Sequence, residues 1–253
     1  MRDAIVHASG ARMRWVELPG TDPAVVYVHG LGAASAPYYA AAAAHPLLTG
    51  RRSLLVDLLG FGISDRPADF AYTLEAHADA LAAVLREAGA EGASLVAHSM
   101  GGAVAIALAA RHPGLAARLI LVDANLDPYS PGLVKPGGSG IASYTEDDFV
   151  SHGWKEVRER VGAHWWATMR LADRRGLHRT ATSLAKGTDP AMRELLVSLP
   201  IPRAYLYPEG EAPAAAGDLA AAGVRLVEVP DAGHNIMLDN PDGFARAVSA
   251  LLA

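Results

Sequence analysis

Short apolar runs that end on a polar residue recur along this chain, and they restrict its fold more than any other feature. Val25–Tyr27–Val28 leads into His29–Gly30–Leu31–Gly32, and Ser53–Leu54–Leu55–Val56 leads into Asp57. Ser94–Leu95–Val96–Ala97 leads into His98–Ser99, and Leu119–Val122 into Asp123. Runs without polar alternation are the mark of strands buried on both faces, as in a parallel sheet covered by helices. Helical stretches lie between them. Residues 73–88 place Leu74, Ala78, Leu81 and Leu85 at three- and four-residue intervals, with Thr73 to cap the start and Gly89 to stop the helix. An alanine-rich run from Met100 to Arg111 ends at His112–Pro113–Gly114. This alternation predicts an α/β fold, a mostly parallel sheet with helices on both faces. In such sheets the crossovers are right-handed and functional sites gather at the carboxyl ends of the strands. His29, Asp57, Ser99 and Asp123 each fall just past such an end.

The flanking segments complete the outline. Residues 3–8 and 11–17 alternate around Ser9–Gly10 and read as an antiparallel hairpin. Ala204–Tyr207 and Val224–Val229 read as the last strands, and residues 241–252 as a closing helix. Between about 125 and 199 the periodicity breaks, and three of the four tryptophans (Trp154, Trp165, Trp166) fall there. An insertion after the sixth strand would form a small helical cap above the rim. The expectation is one domain over 1–253, with a core at 1–124 and 200–253.

At 253 residues the chain is long enough for one large domain with a buried core. Its 51% hydrophobic and 19% charged content suits a globule rather than a disordered chain. A net charge of −5 with no basic stripe argues against nucleic-acid partners, and no polybasic run or membrane span is evident. Cysteine is absent, which removes disulfides, thiolate metal sites and a thiol nucleophile together. With no signal-peptide pattern at the N-terminus, a cytoplasmic location is expected. No HxxH or HxH spacing offers metal ligands, and neither His29–Gly32 nor Gly60–Gly62 completes a dinucleotide-binding GxGxxG. No cofactor is implied, and the expected partner is a small-molecule substrate.

The stretch Ala97–His98–Ser99–Met100–Gly101–Gly102 places a serine where a strand turns directly into a helix. Such a corner exposes the hydroxyl oxygen, and small neighbours let the backbones pack closely. A serine needs a base to become a nucleophile, and histidine is the usual base near neutral pH. His234, in Ala232–Gly233–His234 after the last strand, is the best placed of the ten histidines.

These residues resemble the α/β-hydrolase family. Ala97-x-Ser99-x-Gly101 is similar to its GxSxG elbow, with alanine replacing the first glycine. His29–Gly30 resembles its HG turn, Asp57–Leu58–Leu59–Gly60–Phe61–Gly62–Ile63–Ser64 its D-x-x-G-x-G-x-S loop, and Gly233–His234 its histidine loop. The resemblance implies an eight-stranded α/β-hydrolase sheet and a serine hydrolase that cleaves a small, largely apolar ester, thioester or lactone. Ser99 would attack, His234 would carry the proton, and the Leu31 and Met100 N–H groups would form the oxyanion hole. Two carboxylates compete to orient His234. Glu211 stands at the commoner family position after the seventh strand, but its distance to His234 is shorter than usual. Asp123 follows the sixth strand, where certain haloalkane dehalogenases carry their acid, and it is the preferred choice. Trp154, Trp165 and His29 are the candidate substrate-lining residues, with His29 read as a structural or pocket-lining group rather than a base. The same residues would also suit a carbon–carbon bond hydrolase, a small-substrate peptidase or a receptor-like ligand binder.

Overall fold

The computed structural model describes residues 1–131 and 138–253. Its centre is one eight-stranded sheet in the order β1-β2-β4-β3-β5-β6-β7-β8. The strands are β1 (Arg2–Ile5), β2 (Arg12–Leu18), β3 (Thr21–Val28), β4 (Arg51–Asp57), β5 (Ala93–His98), β6 (Ala116–Val122), β7 (Arg203–Pro208) and β8 (Arg225–Val229). β1 and β2 form an antiparallel hairpin, and β2 is antiparallel to β4. β3 to β8 all run parallel to one another. The hairpin is shorter than the sequence alternation suggests, because the Gly10 N–H bonds back to His7 O at 2.9 Å and turns the chain after Ile5.

Register decides where the site can be. Val28 pairs with both Val56 and Ala97, His98 with Val122, and Val122 with Leu206. The carboxyl ends of five adjacent parallel strands therefore lie nearly level, and the residues that follow them share one rim.

Successive side chains of a strand face opposite sides, and both sides are covered. Val26, Val28, Leu54, Val56, Leu95, Ala97, Leu119 and Leu121 pack with α2 (Leu74–Glu87) and α3 (Met100–Arg111). Val25, Tyr27, Leu55, Val96, Ile120 and Leu206 face α1 (Ser35–Ala43) and the closing helix. The Thr73 hydroxyl accepts from Ala76 N–H, as its capping position requires.

Between β6 and β7 lies a helical insertion. α4 (Glu146–Asp148) passes through a π-helical turn, Phe149–Gly153, into α5 (Trp154–Met169), which breaks at Gly162 where φ is +73°. α6 (Arg174–Lys186) and α7 (Met192–Ser198) follow. Residues 132–137 of the expected cap lie outside the described residues. The insertion is bound to the sheet by polar contacts: Asp173 N–H donates to Gly60 O at 2.8 Å, and Arg66 donates to Leu171 O at 2.7 Å. Within it, Arg179 and Arg175 bond Glu146 and hold its carboxyl down to about 2. After β7 come α8 (Ala216–Ala221), then α9 (Ile236–Asp239) and α10 (Pro241–Leu252) behind β8.

The approach of α3 to the sheet sets a test. A methyl at Gly101 would collide with the Val28 and His29 carbonyl oxygens, whereas one at Gly217 in α8 would meet no atom within 4 Å. Gly101→Ala should lower stability by about 1–3 kcal/mol through overpacking. Gly217→Ala should raise it by about 0.4–1 kcal/mol through the unfolded chain. Urea denaturation of the two variants measures both.

Candidate active site

Ser99 sits between β5 and α3 with φ 52° and ψ −122°, a backbone conformation that a non-glycine residue rarely adopts. Such a residue costs of order 1–3 kcal/mol and persists only where its surroundings determine it. Here Ser99 N–H donates to Val122 O at 2.9 Å, while Ser99 O accepts from the Gly102 N–H at 3.0 Å and the Asn125 N–H at 3.3 Å. Gly102 leaves room for Ala124, whose methyl would clash with any added Cβ. Ala97, in place of the first glycine of the motif, is fully buried with its methyl in the core.

Three side chains meet at this corner. His234 Nε2 lies 3.2 Å from Ser99 Oγ, and His234 Nδ1 lies 2.6 Å from Asp123 Oδ2. With Nδ1–H donating to the carboxylate, Nε2 is left with a lone pair toward the serine. Asp123 is itself strained, with φ 42°, and its N–H is fixed to Leu206 O at 2.8 Å. The adjoining Ala124 O accepts from Tyr205 OH at 2.8 Å. Burial and the nearby Asp123 charge push that phenol far above its usual range, so it stays a donor.

Glu211 is elsewhere. It is exposed on the turn after β7, where its N–H bonds Pro208 O, and Gly210 N–H is taken by Glu228. That turn folds back on β8, and among the described residues His234 bonds the Asp123 carboxylate and makes no bond to Glu211. The sequence reading missed Asn125, whose Oδ1 is 3.2 Å from Ser99 Oγ. No motif in the sequence singles it out.

The His29–Gly32 turn stands beside Ser99. Ala33 N–H donates to Gly30 O at 3.1 Å, and Gly32 takes φ +68°. Among the described residues, neither Leu31 N–H nor Met100 N–H donates to a protein acceptor. Met100 N–H also opens α3, where the helix dipole adds positive potential. Of its two expected roles, structural or pocket-lining, His29 takes the structural one. It is fully buried, accepts from Leu58 N–H at Nε2 (3.1 Å) and donates from Nδ1 to Gly30 O (2.7 Å). With both ring nitrogens used by backbone, it holds the turn and offers no group to a substrate. Burial lowers its pKa from the usual imidazole value, which keeps it in this neutral form. The Asp57 loop is likewise a scaffold: its carboxylate accepts from Ser35 N–H (2.6 Å) and Ile63 N–H (2.9 Å).

The insertion reaches this turn directly. Trp165 Nε1–H donates to Leu31 O at 2.8 Å, and the Met169 side chain fills the space beside Gly32. Trp154 takes a different place. It stacks on Trp166 with centroids 5.9 Å apart, under the Arg174 guanidinium at 3.8 Å. Together with Phe149, Val157 and Met169 these rings border a cavity of about 60 Å³. Among the described residues, no group of three or more His, Asp or Glu is placed to hold a metal ion. No helix among them is long and apolar enough to cross a membrane.

Residues 23–174 match the family model described as the alpha/beta hydrolase fold. The chain belongs to the α/β-hydrolase family. It is 34% identical over 132 residues to the probable lysophospholipase BODYGUARD 4 of Arabidopsis thaliana, covering 52% of this chain and 30% of that protein. It is 39% identical over 95 residues to the 2-hydroxymuconate semialdehyde hydrolase of Pseudomonas putida, covering 38% and 34%. The chain thus spans about a third of the length of these curated relatives. The thermophilic esterase from Thermogutta terrifontis superposes with a TM-score of 0.75 at 25% identity, over 100% of this chain and 98% of the other. These similarities place the chain in a hydrolase family.

The Trp165 contact gives a prediction for the α/β-hydrolase core. Trp165→Phe keeps the ring but removes the donor to Leu31 O. The variant should lose about 0.5–1.5 kcal/mol in urea denaturation, and the Ala33 amide, which bonds Gly30 O across the turn, should exchange faster with deuterium. Unchanged exchange at Ala33 would show that the indole does not brace the turn.

Proposed function

We propose that this chain is a serine hydrolase that cleaves a small, largely apolar ester, thioester or lactone through an acyl-serine intermediate. The observation that carries the reading is the unbroken line Ser99 Oγ–His234 Nε2, His234 Nδ1–Asp123 Oδ2. In this reading Ser99 attacks the carbonyl carbon while His234 takes its proton. Asp123 holds the imidazole in the tautomer that leaves Nε2 free and stabilises the imidazolium once formed. The carbonyl oxygen, now anionic, is met by the Leu31 and Met100 N–H groups, and a single such donor is worth about 10²–10³ in rate. The imidazolium then protonates the leaving group, and water repeats the sequence on the acyl-enzyme.

The helices between β6 and β7 act as the cap over this site in the same reading. Trp165 and Met169 present apolar surface next to the turn, which suits an acyl group with little polarity. Trp154 would line the cap's outer pocket. A second reading, a carbon–carbon bond hydrolase using the same residues, draws on the relative named as a 2-hydroxymuconate semialdehyde hydrolase.

Turnover of p-nitrophenyl acetate and butyrate tests the proposal. Ser99→Ala should fall to background. Asp123→Asn should lower kcat by about 10⁴, since it leaves the wrong tautomer facing the serine. Glu211→Gln should stay within about twofold, as a surface change away from the reacting atoms does. Full turnover in Ser99→Ala would overturn the mechanism. Equal losses in the two carboxylate variants would overturn the assignment of Asp123.

A further inference from the structure

His98 ends β5 and precedes the nucleophile, and the mechanism above gives it no role. Its surroundings are specific. The ring is 3% exposed, and its Nε2–H donates to the main-chain carbonyl of His234 at 2.9 Å. The two imidazole centroids are 4.6 Å apart. On another side Tyr38 stacks on it at 6.2 Å with the planes 30° apart. Against the His29–Gly32 turn the ring occupies the space a side chain at Gly30 would need: a Cβ there would stand 2.9 Å from Nδ1. The ring thus touches both the turn beside Ser99 and the loop that bears His234.

We propose that His98 is a positioning residue that fixes the His234 main chain, and through it the imidazole, relative to Ser99 and the Gly30 turn. The proposal rests on the serine-hydrolase reading for its effect on rate, but not for the contact itself.

The reason lies in how loosely His234 is otherwise held. Its side chain is about half exposed, so packing does not define it. Its loop follows a strained Asp231 (φ 50°) and is braced by the bond from Gly233 N–H to Asp239 at 3.0 Å. Asp123 fixes the ring end, and the His98 donor fixes the main-chain end. Two anchors define the direction of Nε2 where one would leave it free to swing. The chemistry of His98 supports this role. With Nε2 donating, Nδ1 is unprotonated, and it is buried with no partner. A leucine would fill the same space without stranding a nitrogen, so the ring's donor is what distinguishes this residue. Burial and the neighbouring His234 hold His98 well below the usual imidazole range, so no second cation opposes the imidazolium that forms on His234.

The test pairs nuclear magnetic resonance with kinetics. In the unaltered protein the ¹⁵N shifts of His98 should report the Nε2–H tautomer, and His234 Nδ1–H should give a sharp low-field proton. His98→Leu should broaden or abolish that proton. It should also lower kcat for p-nitrophenyl butyrate by about 10- to 100-fold, the scale of a small displacement of a catalytic group, with KM within about threefold. His98→Gln, which restores an N–H donor, should recover the sharp proton and most of kcat. An Nδ1–H tautomer at His98 in the unaltered protein would overturn the proposal without any variant. So would a folded His98→Leu with unchanged proton and kcat, or equal loss in both variants. If the unaltered protein shows the expected resonances yet turns over no ester, the positioning contact stands and the hydrolase reading fails.

Discussion

The level ends of the parallel strands are the constraint on which everything at the site depends. Because Val28, Val56, His98, Val122 and Leu206 are tied by one register, the residues after β3, β5 and β6 emerge side by side. The bond from Ser99 N–H to Val122 O, and that from Asp123 N–H to Leu206 O, extend this register past the strands. They hold two residues with positive φ in place. A one-residue slip of β6 against β5 would invert its side chains with respect to the faces and break both bonds. The local strain at Ser99 is sustained by the same hydrogen bonding that makes the sheet.

Close approach is the second requirement, and it explains the small residues. Gly101 lets α3 lie against the end of β3, and Gly102 admits the loop after β6. The result is a serine whose neighbours come from three separate strands. Buried histidines then serve as fixed hydrogen-bonding struts. His29 spans Gly30 O and Leu58 N–H, while His98 donates to the His234 carbonyl and packs against the Gly30 turn. In both, burial disfavours the cation, so each ring keeps one donor and one acceptor at defined atoms.

The sheet was legible because strands buried on both faces must be apolar throughout, and the runs at 25–28, 53–56, 94–97 and 119–122 meet that condition in the sequence alone. Ser99 and His234 were legible because a tight strand-to-helix corner and a glycine–histidine loop leave few alternatives. Features that depend on loops were less legible. Spacing along the chain favours Asp123 over Glu211 without deciding between them; His234 meets Asp123, while the turn after β7 folds back toward Glu228. His29 reads as a polar group at the rim, yet its partners are backbone atoms, one on the adjacent Gly30 and one on Leu58, 29 residues away. Asn125 carries no motif and is recognised only by its distance to Ser99 Oγ. Within the insertion α5, broken at Gly162, has too weak a pattern to delimit from sequence.

The central claim is that Ser99 is an activated nucleophile because this frame delivers His234 and Asp123 to it. Covalent labelling with a fluorophosphonate probe, followed by peptide mass spectrometry, tests it most directly. The account predicts one adduct per chain, located on Ser99, with labelling abolished in Ser99→Ala and strongly slowed in His234→Ala. An adduct on another residue, or labelling at Ser99 that is as fast without His234 as with it, would contradict it.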